Sequence, residues 1–143
     1  VVDAGQKLTG SSEGHRLAGS SPLNRLRQAG LNSRLKLCRQ AILQRDFEPF
    51  AEVVEADSNW MHAVMRTSKP PLNYWLPTTE VLLWQVREWR RQGHAVCTTV
   101  DAGPNVHILA LAGELPWLKL ALDSVEGIRE TILARPGLGA RLV

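Results

Sequence analysis

From His94 the sequence changes period, and the change holds until Ala112. His94-Ala95-Val96-Cys97-Thr98-Thr99-Val100 is β-branched and strand-like, and Val106 to Ala112 is a second strand. Between them Asp101-Ala102-Gly103-Pro104-Asn105 is dense in turn-forming residues. Two strands joined by so tight a turn force a small sheet into a chain whose other segments read as helices.

Those helices can be placed from their punctuation. Ser21-Pro22 is a good start, because serine can cap and proline suits the first helical position. Leu23, Leu26, Leu35, Leu37, Ile42 and Leu43 then recur with loose helical spacing up to Asp46, interrupted at Gly30-Leu31-Asn32, which predicts two short helices or a kink. Asp46 opens a further helix whose apolar face is Phe50, Val53, Val54, Trp60, Met61 and Val64, and it must end before Lys69-Pro70-Pro71. Another runs from Pro77 to Gln92 with Leu82, Val86 and Trp89 buried and Gly93 as its stop. Glu114 to Val125 reads as a last helix, and Val1 to Gly5, Ile128 to Ala134 and Ala140 to Val143 read as strands. The order predicts an α+β fold, with helices packed on one face of a mostly antiparallel sheet.

Composition narrows the class. With 143 residues, 44% hydrophobic and 22% charged, the chain reads as one globular domain rather than a disordered tail or a fibre. No apolar run approaches the roughly 18 residues that span a bilayer, and no signal-peptide core is present near Val1, so no membrane partner is expected. Two cysteines are too few for a disulfide framework, which points to a reducing, cytoplasmic compartment. The net charge of +3 is uneven. Residues 1 to 45 carry eight basic and two acidic residues, whereas 46 to 68 carry one basic and five acidic. Arg25, Arg27, Arg34, Lys36, Arg39 and Arg45 are spread around a helical pattern, so the basic excess reads as a solvated helix facing its acidic neighbour and not as a nucleic-acid footprint.

Most candidate chemistry is quickly excluded. His15, His62, His94 and His107 lack metal-ligand spacing, and neither Cys-x-x-Cys nor His-Glu-x-x-His occurs. Asp57, Ser58 and His62 are near one another in sequence, but one helix face does not make a nucleophile–base–orienter triad. His62 reads as a helix residue half in the core.

Two segments remain. Lys7-Leu8-Thr9-Gly10-Ser11-Ser12-Glu13-Gly14 reads as a loop before a helix, offering hydroxyls and N–H groups either to a phosphate or merely to the helix as a cap. Asp101 ends a strand, where its carboxylate either braces the turn or is held rigidly for a ligand, with Ala102 and Gly103 leaving space.

At these segments the chain resembles the diphosphomevalonate decarboxylase family. Gln6 to Gly14, Ser20-Ser21-Pro22-Leu23, Arg45-Asp46-Phe47, Asp57 to Ala63, Pro70 to Leu76 and above all Asp101 to Asn105 look like family sequence, in the family's order. The resemblance implies a ferredoxin-like C-terminal domain of the GHMP-kinase superfamily over residues 1 to 143, its N-terminal ATP-binding domain lying outside this sequence. It implies an ATP-dependent carboxy-lyase of isoprenoid synthesis, which phosphorylates a tertiary hydroxyl of diphosphomevalonate. Phosphate and carbon dioxide then leave to give isopentenyl diphosphate. Asp101 falls on the family's essential aspartate, which takes or orients the hydroxyl proton, and Ser11 and Ser12 fall on substrate-phosphate contacts. ATP and Mg2+ are the cofactors implied, bound mainly by the N-terminal domain, and the isolated chain is expected to be inactive.

The sequence also departs from the family. Ser12 replaces a Thr or Arg, and His15 stands where methionine is common. Related mevalonate 3-kinases tend to lack the aspartate, so Asp101 argues for a decarboxylase. The alternatives are a phosphomevalonate decarboxylase giving isopentenyl phosphate, and a non-catalytic interaction domain binding an acidic partner through its arginines. The partners implied are a phosphorylated mevalonate, the N-terminal domain and a possible second copy in a homodimer. Val1 in place of an initiator methionine, with a strand under way, reads as a chain interrupted mid-protein.

Overall fold

The computed structural model of the chain describes residues 1–2 and 10–139. Its elements run α1 (Ser11–Ala18), α2 (Asn24–Ala29), α3 (Leu31–Gln44), α4 (Phe47–Arg66), α5 (Pro77–Arg91), β1 (Val96–Val100), β2 (Val106–Ala110) and α6 (Leu115–Asp123). The α+β reading holds.

β1 and β2 pair antiparallel, Val96 opposite Ala110 and Val100 opposite Val106. Alternation then puts residues 96, 98 and 100 on the same face as 106, 108 and 110. On that face Val96, Val106, Ile108 and Ala110 pack with Leu82, Val86 and Trp89 of α5 and with Leu118 and Leu122 of α6. The i, i+4, i+7 spacing of the three α5 residues is what aims them together. Trp89 meets Trp117 edge to face at 5.3 Å between ring centroids. Each apolar side chain buried here contributes roughly 1.5–3 kcal/mol.

Helix boundaries follow the punctuation closely. Gly30 separates α2 from α3, so the interruption makes two helices. Ser21 Oγ accepts the Leu23 N–H at 3.1 Å in a turn ahead of α2, which starts at Asn24 rather than at Pro22. Gly93 follows α5 with φ +100°, a conformation in which glycine alone is unstrained.

Two expectations fail. Ser11 to Gly14 are not a loop but the first half of α1. Leu17 and Gly14 are buried there, and packing outweighs the poor helix propensity of glycine and serine. Ile128 to Ala134 are irregular, not a strand. Ile132 and Leu133 are 68% and 65% exposed, so a strand here would cover no apolar face. Among the described residues the segment's main-chain partner is Val1, whose carbonyl accepts from Arg129 N–H at 2.9 Å. Val1 and Val2 are themselves not in a strand, and the rest of the first expected strand, Asp3 to Gly5, lies outside the described residues, as do Lys7 to Thr9 and Ala140 to Val143.

Candidate functional site

The turn that leaves β1 is braced without the Asp101 side chain. Gly103 N–H donates to Asp101 O at 2.8 Å, and the fully buried Thr79 donates its hydroxyl to Pro104 O at 2.7 Å. Asn105 Oδ1 accepts from Val2 N–H at 2.9 Å. The Asp101 side chain is 87% exposed, and its close charged neighbour is His107, with Nε2 4.0 Å from a carboxylate oxygen. Cross-strand pairing explains that neighbour, since His107 lies opposite Thr99 at the mouth of the hairpin. The turn-bracing reading of Asp101 therefore fails, and the carboxylate stands at a sheet end facing outward.

What holds this sheet end is α4. Among the described residues β1 has a strand on one side only, and α4 lies along the other edge. Glu55, Ser58 and His62, at i, i+3 and i+7, point one helix face at that edge. Glu55 Oε1 accepts the Thr98 N–H at 3.2 Å, and Ser58 Oγ accepts the Val100 N–H at 3.0 Å. His62 Nε2 lies 2.9 Å from Val100 O. An unpaired strand edge leaves costly buried donors, and these side chains satisfy them. His62 is almost wholly buried, and burial pushes its pKa below the ordinary imidazole value; the Val100 carbonyl opposes that shift. The ring is therefore neutral, and because a carbonyl only accepts, Nε2 carries its proton. Asp57, on the same helix, instead takes Arg27 at 3.1 Å and Arg34 at 2.9 Å. No triad forms from Asp57, Ser58 and His62, as expected.

Ser11 and Ser12 occupy the first two positions of α1, exposed, after Gly10 in extended conformation. Their N–H groups and that of Glu13 have no partner within the helix, which makes this end suited to an anion. Glu13 is engaged by Arg16 at 2.8 Å, and that bond holds its carboxyl below the usual range. α1 is docked through Gly14, where a Cβ would lie 2.6 Å from the Tyr74 hydroxyl and 3.3 Å from the Met65 sulfur. The Tyr74 ring meets His62 edge-on at 6.0 Å, and Trp75 packs against His62 at 4.8 Å with Arg66 over its face at 4.0 Å. Among the described residues no hydrogen bond joins Ser11 or Ser12 to Asp101. Both are hung on one scaffold, α1 through Tyr74 and Asp101 through His62.

Asp101 also ends a groove of about 360 Å³ whose walls include Arg27, Arg34, Asp57, Ser58 and Thr99. Sequence reading missed this groove and the position of His107. The only signal for either was the turn itself, which folds residues 99 and 107 together. Of the basic residues expected to face an acidic neighbour, Arg27 and Arg34 do so at Asp57, and Arg90 makes a two-pronged pair with Glu55 at 2.7 and 2.9 Å. Cys97 is buried in β1, and burial pushes its thiol up to about 12, so it is inert as a nucleophile. Among the described residues no group of three or more His, Cys, Asp or Glu could hold a metal, and no helix is long and apolar enough to cross a membrane.

The family described as the mevalonate 5-diphosphate decarboxylase C-terminal domain matches residues 1–133. A human relative, diphosphomevalonate decarboxylase, is 34% identical over 119 residues, which is 78% of this chain and 29% of that protein. A solved structure described as MDDEF in complex with MVAPP, AMPPCP and magnesium superposes with a TM-score of 0.81 at 28% identity, covering 87% of this chain and 38% of that one. A second, of the mevalonate diphosphate decarboxylase from Enterococcus faecalis, gives 0.76 at 29% identity, covering 81% and 36%. It is described as showing a mevalonate diphosphate mediated ATP binding mechanism. The chain thus spans less than a third of the human relative's length.

Proposed function

The chain belongs to the family of mevalonate 5-diphosphate decarboxylase C-terminal domains, and from that premise we propose that it supplies the substrate side of an ATP-dependent decarboxylase acting on diphosphomevalonate. The observation that carries the reading is Asp101: an outward-facing carboxylate at a rigid strand end, in a turn that does not use it. In the proposed reaction the 3-hydroxyl oxygen attacks the γ-phosphorus of ATP, ADP leaves, and the hydroxyl proton passes to Asp101. General-base help of this kind contributes about 10²–10⁴-fold. The new phosphate and carbon dioxide then depart together, leaving the double bond of isopentenyl diphosphate. Ser11 and Ser12, with the free N–H groups that open α1, hold the substrate's phosphates.

We assign ATP binding to an N-terminal domain beyond these residues. Magnesium enters with the nucleotide, since the residues described form no metal cluster of their own. The isolated chain is then inactive, and its partners are a phosphorylated small molecule and the N-terminal domain. A cytoplasmic setting accords with two unpaired cysteines. The interaction-domain alternative loses Arg16, Arg27, Arg34, Arg90 and Arg91 as ready contacts for an acidic partner, because these five are paired within the chain.

The test is product analysis of the full-length protein given ATP and either diphosphomevalonate or phosphomevalonate. Isopentenyl diphosphate with equimolar ADP and carbon dioxide, from the first substrate, is the expected result. Isopentenyl phosphate from the second would transfer the reading to the monophosphate enzyme, and no turnover of either would overturn it.

A further inference from the structure

Among the described residues the Asp101 side chain makes no hydrogen bond that fixes its position, yet a base must be placed to within a fraction of an ångström of its proton. The nearest fixed point is the preceding residue. Val100 N–H donates to Ser58 Oγ at 3.0 Å, while Val100 O receives Ser58 Oγ at 3.3 Å and His62 Nε2 at 2.9 Å. Three contacts from two side chains thus hold both polar groups of Val100, on a strand edge that has no neighbouring strand among the described residues. The scaffold behind them is stiff: His62 is 1% exposed and packed between Tyr74 and Trp75, and Ser58 sits one turn earlier on the same 20-residue helix. Across the sheet, the bond from Thr79 to Pro104 fixes the far side of the turn.

We infer that His62, with Ser58, is the positioning residue for Asp101: its buried ring holds the Val100 carbonyl and so sets where the Asp101 carboxylate meets the substrate hydroxyl. The inference rests on the reading of Asp101 as the base. His62 is not itself catalytic, because its ring lies behind the strand with Nε2 committed to Val100.

The experiment is steady-state kinetics of the full-length enzyme carrying His62→Leu, His62→Gln or Ser58→Ala, with Asp101→Asn in parallel. A misplacement of about 1 Å costs about 10²-fold in rate, so His62→Leu should lower kcat by about that factor while KM stays near the wild-type value. His62→Gln presents an amide donor where Nε2 stood and should recover most of kcat. A general structural role would lower the folded fraction without that split or that rescue. Should His62→Leu not fold, Ser58→Ala decides by the same split. Wild-type kcat in both His62→Leu and Ser58→Ala, or equal losses in the Leu and Gln variants, overturns the inference. Wild-type turnover in Asp101→Asn sinks the base reading instead. Loss in Asp101→Asn beside full activity in the His62 variants sinks only the positioning role.

Discussion

Burial holds the His62 ring neutral even though the Val100 carbonyl and the Asp101 carboxylate both favour its cation. A histidine whose folded pKa is depressed takes up its proton more readily when unfolded, so stability present above the unfolded value, about 6.5, is lost as pH falls below it. Urea unfolding between pH 7 and pH 5 should show this loss, with a slope of at most about 1.4 kcal/mol per pH unit from this group. His62→Gln should remove that part of the slope, and an unchanged slope would contradict the buried, neutral ring. The sequence reading put His62 half in the core, short of its near-complete burial, and was silent about its partner. The partner belongs to a strand 38 residues away, and only the fold brings it near. A faint signal was present all the same: Glu55, Ser58 and His62, at i, i+3 and i+7, share one helix face, although it is not the face that the apolar spacing marks for burial.

Among the elements, α1 shows most plainly how tertiary contact overrides local preference. Gly10 to Gly14 reads as a loop because glycine and serine are poor helix formers, yet the helix begins at Ser11. The reason is Gly14, which lets α1 approach the Tyr74 hydroxyl to a distance no side chain permits. Replacing an exposed helical glycine by alanine normally stabilises by about 1 kcal/mol. At Gly14 the sign should reverse, because the added methyl overpacks against Tyr74 and costs about 1–3 kcal/mol. Among the described residues the buried Tyr74 hydroxyl has no hydrogen-bond partner, and burial holds its pKa above the ordinary phenol value. Tyr74→Phe should therefore be neutral or slightly stabilising, and combined with Gly14→Ala it should restore most of the lost stability. Denaturant midpoints of the two single variants and the double variant check this, and additive losses would contradict the contact. By contrast α4, α5 and the hairpin were legible, since their apolar spacing, prolines and turn residues act locally. The expected strand at Ile128 failed for the converse reason. Ile128 packs on the core, but Ile132 and Leu133 meet no apolar surface, and periodicity cannot report that.

At the scale of the whole molecule, Glu55 ties three elements together, reaching β1 at Thr98 and α5 at Arg90 from its place on α4. Removing one partner of such a buried pair costs about 3–5 kcal/mol, so Glu55→Gln should lower the unfolding free energy measured in urea by an amount in that range, and a loss typical of a surface substitution would contradict it. With the core behind the sheet and α4 sealing one edge, the mouth of the hairpin is where the proposed chemistry sits. The resemblance of Asp101 to Asn105 to family sequence drew attention to this turn, but neither composition nor spacing showed that the carboxylate would face outward. The most direct test is single-turnover transfer of the γ-phosphoryl group from labelled ATP to diphosphomevalonate in the full-length Asp101→Asn protein, with folding checked by its unfolding curve. The account predicts a folded protein that binds substrate and transfers phosphate at least about 10²-fold more slowly. Transfer at the wild-type rate would contradict it.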